Sequence, residues 1–219
     1  MIDRMNERTN NIFSIRREER LLAPVKDAAN DVPQRRPSFK DEDFRDMRAD
    51  FINSGNLRND IRVFAFNENS ASFGKKGATI TDALLADAEN RPLSWIVGGE
   101  FVSLCITVQA HKDIFSPIVG FYLKNRFGQN IFGDNTFLTY MNNPVFLRQG
   151  RSCRATFSFI MPILEAGDYS LSIAVAEGTQ VAHIQHDWRH DALLLKAVAT
   201  SCSTGMVGIP MKNISIEVL

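Results

Sequence analysis

Residues 117–136 read PIVGFYLKNRFGQNIFGDNT. An apolar run, 118–123, meets a polar break at 124–126. Phe127-Gly128-Gln129-Asn130 then supplies a turn, Ile131-Phe132 an apolar return, and Gly133-Asp134-Asn135-Thr136 the close. Two apolar runs about a glycine-bearing turn are the pattern of an antiparallel hairpin, here with a small polar cluster at its far end.

The same grammar extends along the chain from residue 61. Val102, Leu104, Ile106 and Val108 alternate with Ser103, Cys105, Thr107 and Gln109, and Ala155, Phe157, Phe159 and Met161 with Thr156 and Ser158. Leu171, Ile173 and Val175 alternate with smaller or polar neighbours, as do Ile214, Ile216 and Val218. Further strands are expected at 61–66, 78–85, 118–123, 181–185 and 193–198. Asn90-Arg91-Pro92, Gly98-Gly99-Glu100, Gln149-Gly150 and Ala166-Gly167-Asp168 mark turns between them. Period two buries one face of each strand and wets the other, which predicts eight to ten strands in antiparallel sheets packed face to face. The fold class is therefore all-β, an immunoglobulin-like or jelly-roll sandwich without a long helix. Gly167-Asp168-Tyr169, entering a strand, fits the tyrosine that closes a sandwich corner.

Charge divides the chain. Of its 50 charged residues, 24 fall in the first 60 positions, twelve of each sign. Residues 1–60 read as a polar leader or linker, partly disordered, with Pro24, Pro33 and Pro37 and basic pairs at Arg16-Arg17 and Arg35-Arg36. A short amphipathic helix is expected at 41–52, with Phe44, Met47, Phe51 and Ile52 on one face and Asn53-Ser54-Gly55 as its stop. Residues 61–219 form the body. Zero net charge offers no field to steer nucleic acid or anionic lipid. No apolar run reaches the roughly 18–20 residues of a membrane-spanning helix. The opening MIDRMNERTNNIF lacks the apolar stretch of a secretory signal. Cys105, Cys153 and Cys202, odd in number and far apart, read as reduced cytosolic thiols.

Three of the four histidines, His183, His186 and His190, lie in HIQHDWRHD. Imidazoles beside carboxylates suggest a metal site. On an unbroken strand, however, His183 points away from His186, Trp188 and His190. Two same-side histidines flanking an indole suit a sugar: the ring packs on the C–H face of a pyranose while His186, His190 and Asp187 bond its hydroxyls. A structural alternative places Trp188 in the core. Asp134-Asn135-Thr136 with Tyr140 offers a carboxylate, an amide, a hydroxyl and a ring, though it is equally good turn chemistry. Asp187 and Asp191 could serve as a glycosidase carboxylate pair only by their nearness to the histidines. Gly74-Lys75-Lys76-Gly77 lacks the spacing of a phosphate-binding loop, and no Gly-x-Ser-x-Gly elbow is present.

In order and spacing, residues 73–210 resemble the C-terminal carbohydrate-binding domain of the ATP-binding subunit of bacterial O-antigen polysaccharide ABC transporters (Wzt-type). The matching pieces are Phe73-Gly74 before Ala78-Thr79-Ile80-Thr81-Asp82, Gly99-Glu100, Pro117-Ile118-Val119-Gly120-Phe121, and Phe132-Gly133-Asp134-Asn135-Thr136. Gly150, Gly167-Asp168-Tyr169, His186-Asp187-Trp188, Asp191-Ala192 and Gly205-Met206-Val207 follow. Asn90 stands where a turn glycine is expected. The resemblance implies an immunoglobulin-like sandwich that forms a homodimer and binds sugar on one sheet. It implies a binding module and not an enzyme, with no cofactor. Such a module recognises the non-reducing end of a lipid-linked O-polysaccharide and licenses its export. It works with the transporter's nucleotide-binding and transmembrane subunits at the cytoplasmic face of the bacterial inner membrane. Walker motifs are absent from these 219 residues, which would make the leader the tail of an inter-domain linker. Residue chemistry nominates His186, Trp188, Tyr140 and Asn135 for sugar contact, with Asp187 and His190 in support. The competing expectations are a metal-dependent sugar-active enzyme using His183, His186 and His190, and a scaffold whose leader recruits a partner.

Overall fold

In the computed structural model the described residues are 45–198 and 205–219. The larger sheet runs β4 (Trp95–Val97), β1 (Asp60–Val63), β13 (His183–Val198), β12 (Gly167–Gly178), β7 (Pro117–Asn125) and β8 (Asn130–Asn135), and the short β2 (Ser72–Phe73) pairs with β13. The smaller sheet is β10 (Ser152–Ile160), β5 (Phe101–Ala110) and β3 (Ala78–Ala86). Two-residue pairs, β6 (Ile114–Phe115) with β9 (Phe146–Leu147) and β11 (Ile163–Leu164) with β14 (Val207–Gly208), fasten the loops. All these pairings are antiparallel, and the two main sheets stack as an immunoglobulin-like sandwich.

Alternation decides what each strand buries. Val102, Leu104, Ile106 and Val108 of β5 meet Val119, Phe121 and Leu123 of β7 and Leu171, Ile173 and Val175 of β12 in one core. Each fully buried aliphatic side chain there contributes about 1.5–3 kcal/mol. Phe121 joins the aromatic residues of that core, with its ring centre 5.0 Å from Phe157 and 5.8 Å from Phe132. The hairpin of 117–136 forms with Gly128 at φ 77° and with Asn125 Oδ1 accepting from the amides of Phe127 and Gln129. The tyrosine corner is present: the buried Tyr169 donates its hydroxyl to the Glu165 carbonyl at 3.0 Å. Asn90 adopts φ 63°, a left-handed geometry that Asn tolerates better than most residues.

Several local expectations change. Residues 214–218 form no strand: Ile216 and Val218 are almost fully exposed, because alternation buries a face only where a neighbouring edge accepts the strand. Val181 and Ala182 belong to a turn in which the Thr179 and Ala182 backbones bond each other, so the strand begins at His183. Gly133, Asp134 and Asn135 are strand residues of β8, not a closing turn. Of the predicted helix at 41–52, residues 41–44 lie outside the described set. The helix itself, α1, is Ala49–Asn53, which buries Ile52 but leaves Phe51 72% exposed. Asn53-Ser54 does end it. The described part of the leader packs on the body: buried Asn59 exchanges hydrogen bonds with the backbone of Leu164 at 2.7 and 2.9 Å, and Asp46 accepts from the Met211 amide.

Two register shifts interrupt the pairing of β12 with β13, and the second sets the geometry of the site. Val175 of β12 faces Asp187, yet Ala176 faces Gln185, so His186 is an extra residue and the strand's inside–outside parity reverses there. Asp187 consequently points inward and is fully buried. Its Oδ2 accepts from the Ile80 amide of the opposite sheet at 3.0 Å and from Arg189 Nε at 3.1 Å, and its Oδ1 pairs with Lys76 Nζ at 2.5 Å. His186, also fully buried, bonds Glu177 through Nε2 at 3.0 Å. The segment 74–77 clips over the bulge, with the amides of Lys75 and Lys76 donating to the Gln185 and His186 carbonyls. Gly74 permits this approach, since a Cβ there would lie 2.3 Å from the His186 oxygen.

Removing the Asp187 carboxylate orphans the Ile80 amide and Arg189 Nε, and leaves the part-buried Arg189 guanidinium with the Glu68 carbonyl but no carboxylate. We expect Asp187→Ala to lose about 3 kcal/mol in urea unfolding, well above the fraction of a kcal/mol typical of an exposed ion pair. Acid stability follows from two other carboxyls. Hydrogen bonds from the Arg48 guanidinium hold Asp46 well below the usual carboxylate range, helped by the Met211 and Arg48 amides and opposed by burial. Burial pushes Glu177 up, but the Phe115 amide, Lys112 and His186 outweigh it and the net direction is down. Groups with depressed folded values stabilise fully above the unfolded value of about 4 and lose that contribution as pH falls through the folded one. Melting temperature should therefore hold steady from about pH 7 to 5 and fall below about pH 4, and Asp46→Asn should flatten part of that fall.

Candidate functional site

Because Val119, Phe121 and Leu123 face the core, their neighbours Ile118, Gly120 and Tyr122 face outward from β7. Ser172, Ala174 and Ala176 of β12 and Gly133 and Asn135 of β8 lie on the same outer face. Small side chains in the middle of three adjacent strands leave a trough, an open groove of about 450 Å³. Gly133 is required at its floor, since a Cβ there would sit 2.2 Å from the Phe121 carbonyl and 2.6 Å from the Tyr122 ring. Trp188 lies opposite the small Ala174 and Tyr122 opposite Ser172, their ring centres 6.1 Å apart, and both line the groove. Phe73 of β2 stacks on the outer side of Trp188 at 6.0 Å and 20°, and His190 lies 6.1 Å from the indole. The result is an aromatic platform beside a shallow trough.

The polar groups are oriented by their own bonds. Gln185 Nε2 donates to the carbonyls of Val175 and Asp187 at 2.8 and 2.9 Å, which leaves Oε1 as the amide's remaining acceptor. Asn135 Oδ1 accepts from the Phe137 amide at 3.0 Å, which leaves Nδ2 as a donor. Asp134 Oδ1 accepts from the Asn135 amide at 2.7 Å, but Asp134 lies opposite the core-facing Phe121, so its side chain projects from the other face of β8 and reaches the groove only through its backbone. Two buried polar atoms of lining residues, Ser172 Oγ and Trp188 Nε1, have no hydrogen-bond partner. His183 and Gln180 complete one end.

The sequence-nominated residues divide. Trp188 and Asn135 line the groove. His190 flanks Trp188 outside it. Tyr140 lies in the short helix α2 (Phe137–Tyr140) that follows β8, away from the lining. His186 and Asp187 do not reach the groove: the bulge turns both into the protein, where burial removes them from contact with any ligand. The same bulge separates His186 from His183 and His190, and among the described residues no three His, Cys, Asp or Glu side chains come together as a metal site. Asp187 is bonded within the sandwich while Asp191, at φ 50°, is exposed, so the two do not form a catalytic pair. Tyr122, Gln185 and Ser172 were not singled out from sequence. The hairpin register, with Tyr122 opposite Gly133 and Gly120 opposite Asn135, is the signal that finds the first of them.

No curated protein matches the chain. Among solved structures, the crystal structure of the C-terminal domain of wzt is 21% identical, with 69% of this chain and 92% of that one covered and a TM-score of 0.57. A β-glucosidase of glycoside hydrolase family 3 from Bifidobacterium adolescentis shares 15% identity over 55% of this chain and 17% of its own, with a TM-score of 0.28 that carries no argument. The Wzt C-terminal domain family matches residues 69–209, more than half of the chain and the whole of the groove. The chain belongs to the Wzt C-terminal domain family.

Proposed function

We propose that this chain is a non-catalytic carbohydrate-binding module that captures the non-reducing terminus of a lipid-linked O-polysaccharide and thereby licenses its export by an ABC transporter. The observation that carries this reading is the pair Trp188 and Tyr122 standing over a floor of Gly120, Gly133 and Ala174. A pyranose presents a flat C–H face and a rim of hydroxyls. Aromatic faces take the first, and amides fixed in orientation take the second. Asn135, Gln185 and His183 supply that second set, with His190 buttressing the indole. Tyr140, close in sequence to Asn135, is a supporting contact only for a chain that extends beyond the trough.

An open groove of this size suits one or two terminal sugars, and capture rather than bond cleavage is its role. A homodimer would raise the effective concentration of a second site for a tethered chain. Membership of the Wzt family supports a setting beside the transporter's nucleotide-binding and transmembrane subunits, at the cytoplasmic face of the inner membrane. Among the described residues, no helix is long and apolar enough to cross a membrane.

Calorimetric titration with O-polysaccharides, each with and without its terminal cap, tests the reading. Selective binding of one terminus is expected, and silence across the panel, including the source strain's own polymer, would sink it. Trp188→Ala and Tyr122→Ala should each weaken binding about tenfold or more, the loss of one stacked ring face, while the chain stays folded by circular dichroism. Trp188→Ala that unfolds the domain would instead make the indole a core residue.

A further inference from the structure

The aromatic surface of the larger sheet does not end at the groove. Phe73 of β2 lies opposite Trp188 of β13 in the strand register, so both side chains stand on the outer face. Phe73 is outside the groove lining and 52% exposed: the indole covers one side of its ring and the rest faces solvent. Tyr122, Trp188 and Phe73 thus follow one another across the sheet at 6.1 and 6.0 Å, and the His190 imidazole lies 5.9 Å from Phe73. Singly exposed aromatics are ordinary, whereas a contiguous exposed apolar patch marks a binding surface. The backbone fixes Phe73 in place. The next residue, Gly74, passes so close to β13 that only glycine fits, and the amides of Lys75 and Lys76 donate to the Gln185 and His186 carbonyls at 2.9 and 2.8 Å. Lys76 Nζ also reaches back to Ser72 Oγ at 2.8 Å. A ring held this firmly loses little freedom when a ligand stacks on it.

Resting on the carbohydrate reading above, we infer that Phe73 and His190 form a second sugar subsite outside the groove, which takes the residue next to the terminal one as the polysaccharide leaves over Trp188. With the terminal sugar in the trough, the chain behind it has to cross the rim, and the Trp188 side is where the aromatic surface continues. A pyranose there lays its C–H face on the open side of the Phe73 ring, while a ring nitrogen of His190 meets a hydroxyl. The other way out, past Gln180 and His183, leads to the turn that joins β12 to β13, where the lining holds no phenyl or indole ring. The two subsites divide the work: the trough reads the end of the polymer, and Phe73 registers that a chain is attached to it.

The test is an NMR titration of the full chain, which reads millimolar affinities, with the terminal monosaccharide and disaccharide of the source strain's O-polysaccharide. The second sugar is expected to tighten binding roughly three- to tenfold, the worth of one stacked ring. Phe73→Ala should abolish that gain while its affinity for the monosaccharide stays within about twofold of the unsubstituted chain. Phe73→Tyr keeps a flat face and should keep the gain. Phe73→Leu keeps apolar bulk against Trp188 without the flat face and should lose it, so a folding defect in the alanine variant leaves the question answerable. Equal weakening of both sugars by Phe73→Ala and Phe73→Leu would make Phe73 a buttress of the indole only and overturn the subsite. So would a disaccharide that binds no better than the monosaccharide, or a gain that survives both substitutions; the carbohydrate reading stands in each of these cases. If neither sugar nor the whole polymer binds, that reading itself falls, and the inference with it.

Discussion

The Asp187 carboxylate, fully buried between the two sheets, is the constraint on which the site depends. A carboxylate is costly to bury unless its oxygens are satisfied, and here an amide from the opposite sheet, a guanidinium and an ammonium do so. Those partners come from β3, from β13 itself and from the glycine-flanked segment that clips over the strand. Three pieces of chain are thus held in one register. The consequence appears one residue later. With Asp187 fixed inward, Trp188 must face outward, and the small residues of β12 and β7 leave space before it. A strand without the extra residue at His186 would place Asp187 and Trp188 on the opposite faces from those they occupy.

That dependence explains how much of this molecule could be read from its letters. The strands at 102–109, 155–161 and 171–175 alternate cleanly because one face packs and the other is wet, and the hairpin of 117–136 carries its turn glycine. The tyrosine corner and the left-handed Asn90 were equally legible, since each is a local demand met by a residue suited to it. A bulge leaves no such mark. HIQHDWRH alternates well enough as an unbroken strand to put His186, Trp188 and His190 together, and one inserted residue reverses the parity. The hint lay in the neighbours: Gly74 and Gly77 are needed because the backbone passes within a Cβ's reach of the His186 carbonyl and ring. Nothing in a single sequence says which strand those glycines approach. The tail at 214–218 failed for a different reason. Alternation is a property of the segment, whereas a strand requires an unpaired edge as partner.

The groove is a case where pairing across strands matters more than any motif. Gly120, Tyr122, Gly133 and Asn135 all stand in the opening stretch, but their functional meaning comes from the register that sets Tyr122 against Gly133. Glycine at that position admits the tyrosine ring close to the sheet, and Ala174 beside it keeps the floor low under the indole. Large side chains at those positions would fill the trough, and a site of this kind is made as much by what the sheet omits as by what it displays.

His186 shows why proximity in sequence misleads about chemistry. It sits two residues from the best candidate sugar contact and carries an imidazole, yet its Nε2 is bonded to Glu177 and its buried Nδ1 has no partner. Glu177 in turn accepts from the Phe115 amide and pairs with Lys112, so this second polar cluster joins the end of β12 to β6 and the loop before it. The histidine-rich segment is therefore divided by its own geometry. His186 and Asp187 bind the sandwich to itself, while His183, Gln185 and Trp188 look outward. Under the proposed function that division matters, because the residues that fix the platform are not those that would meet the sugar.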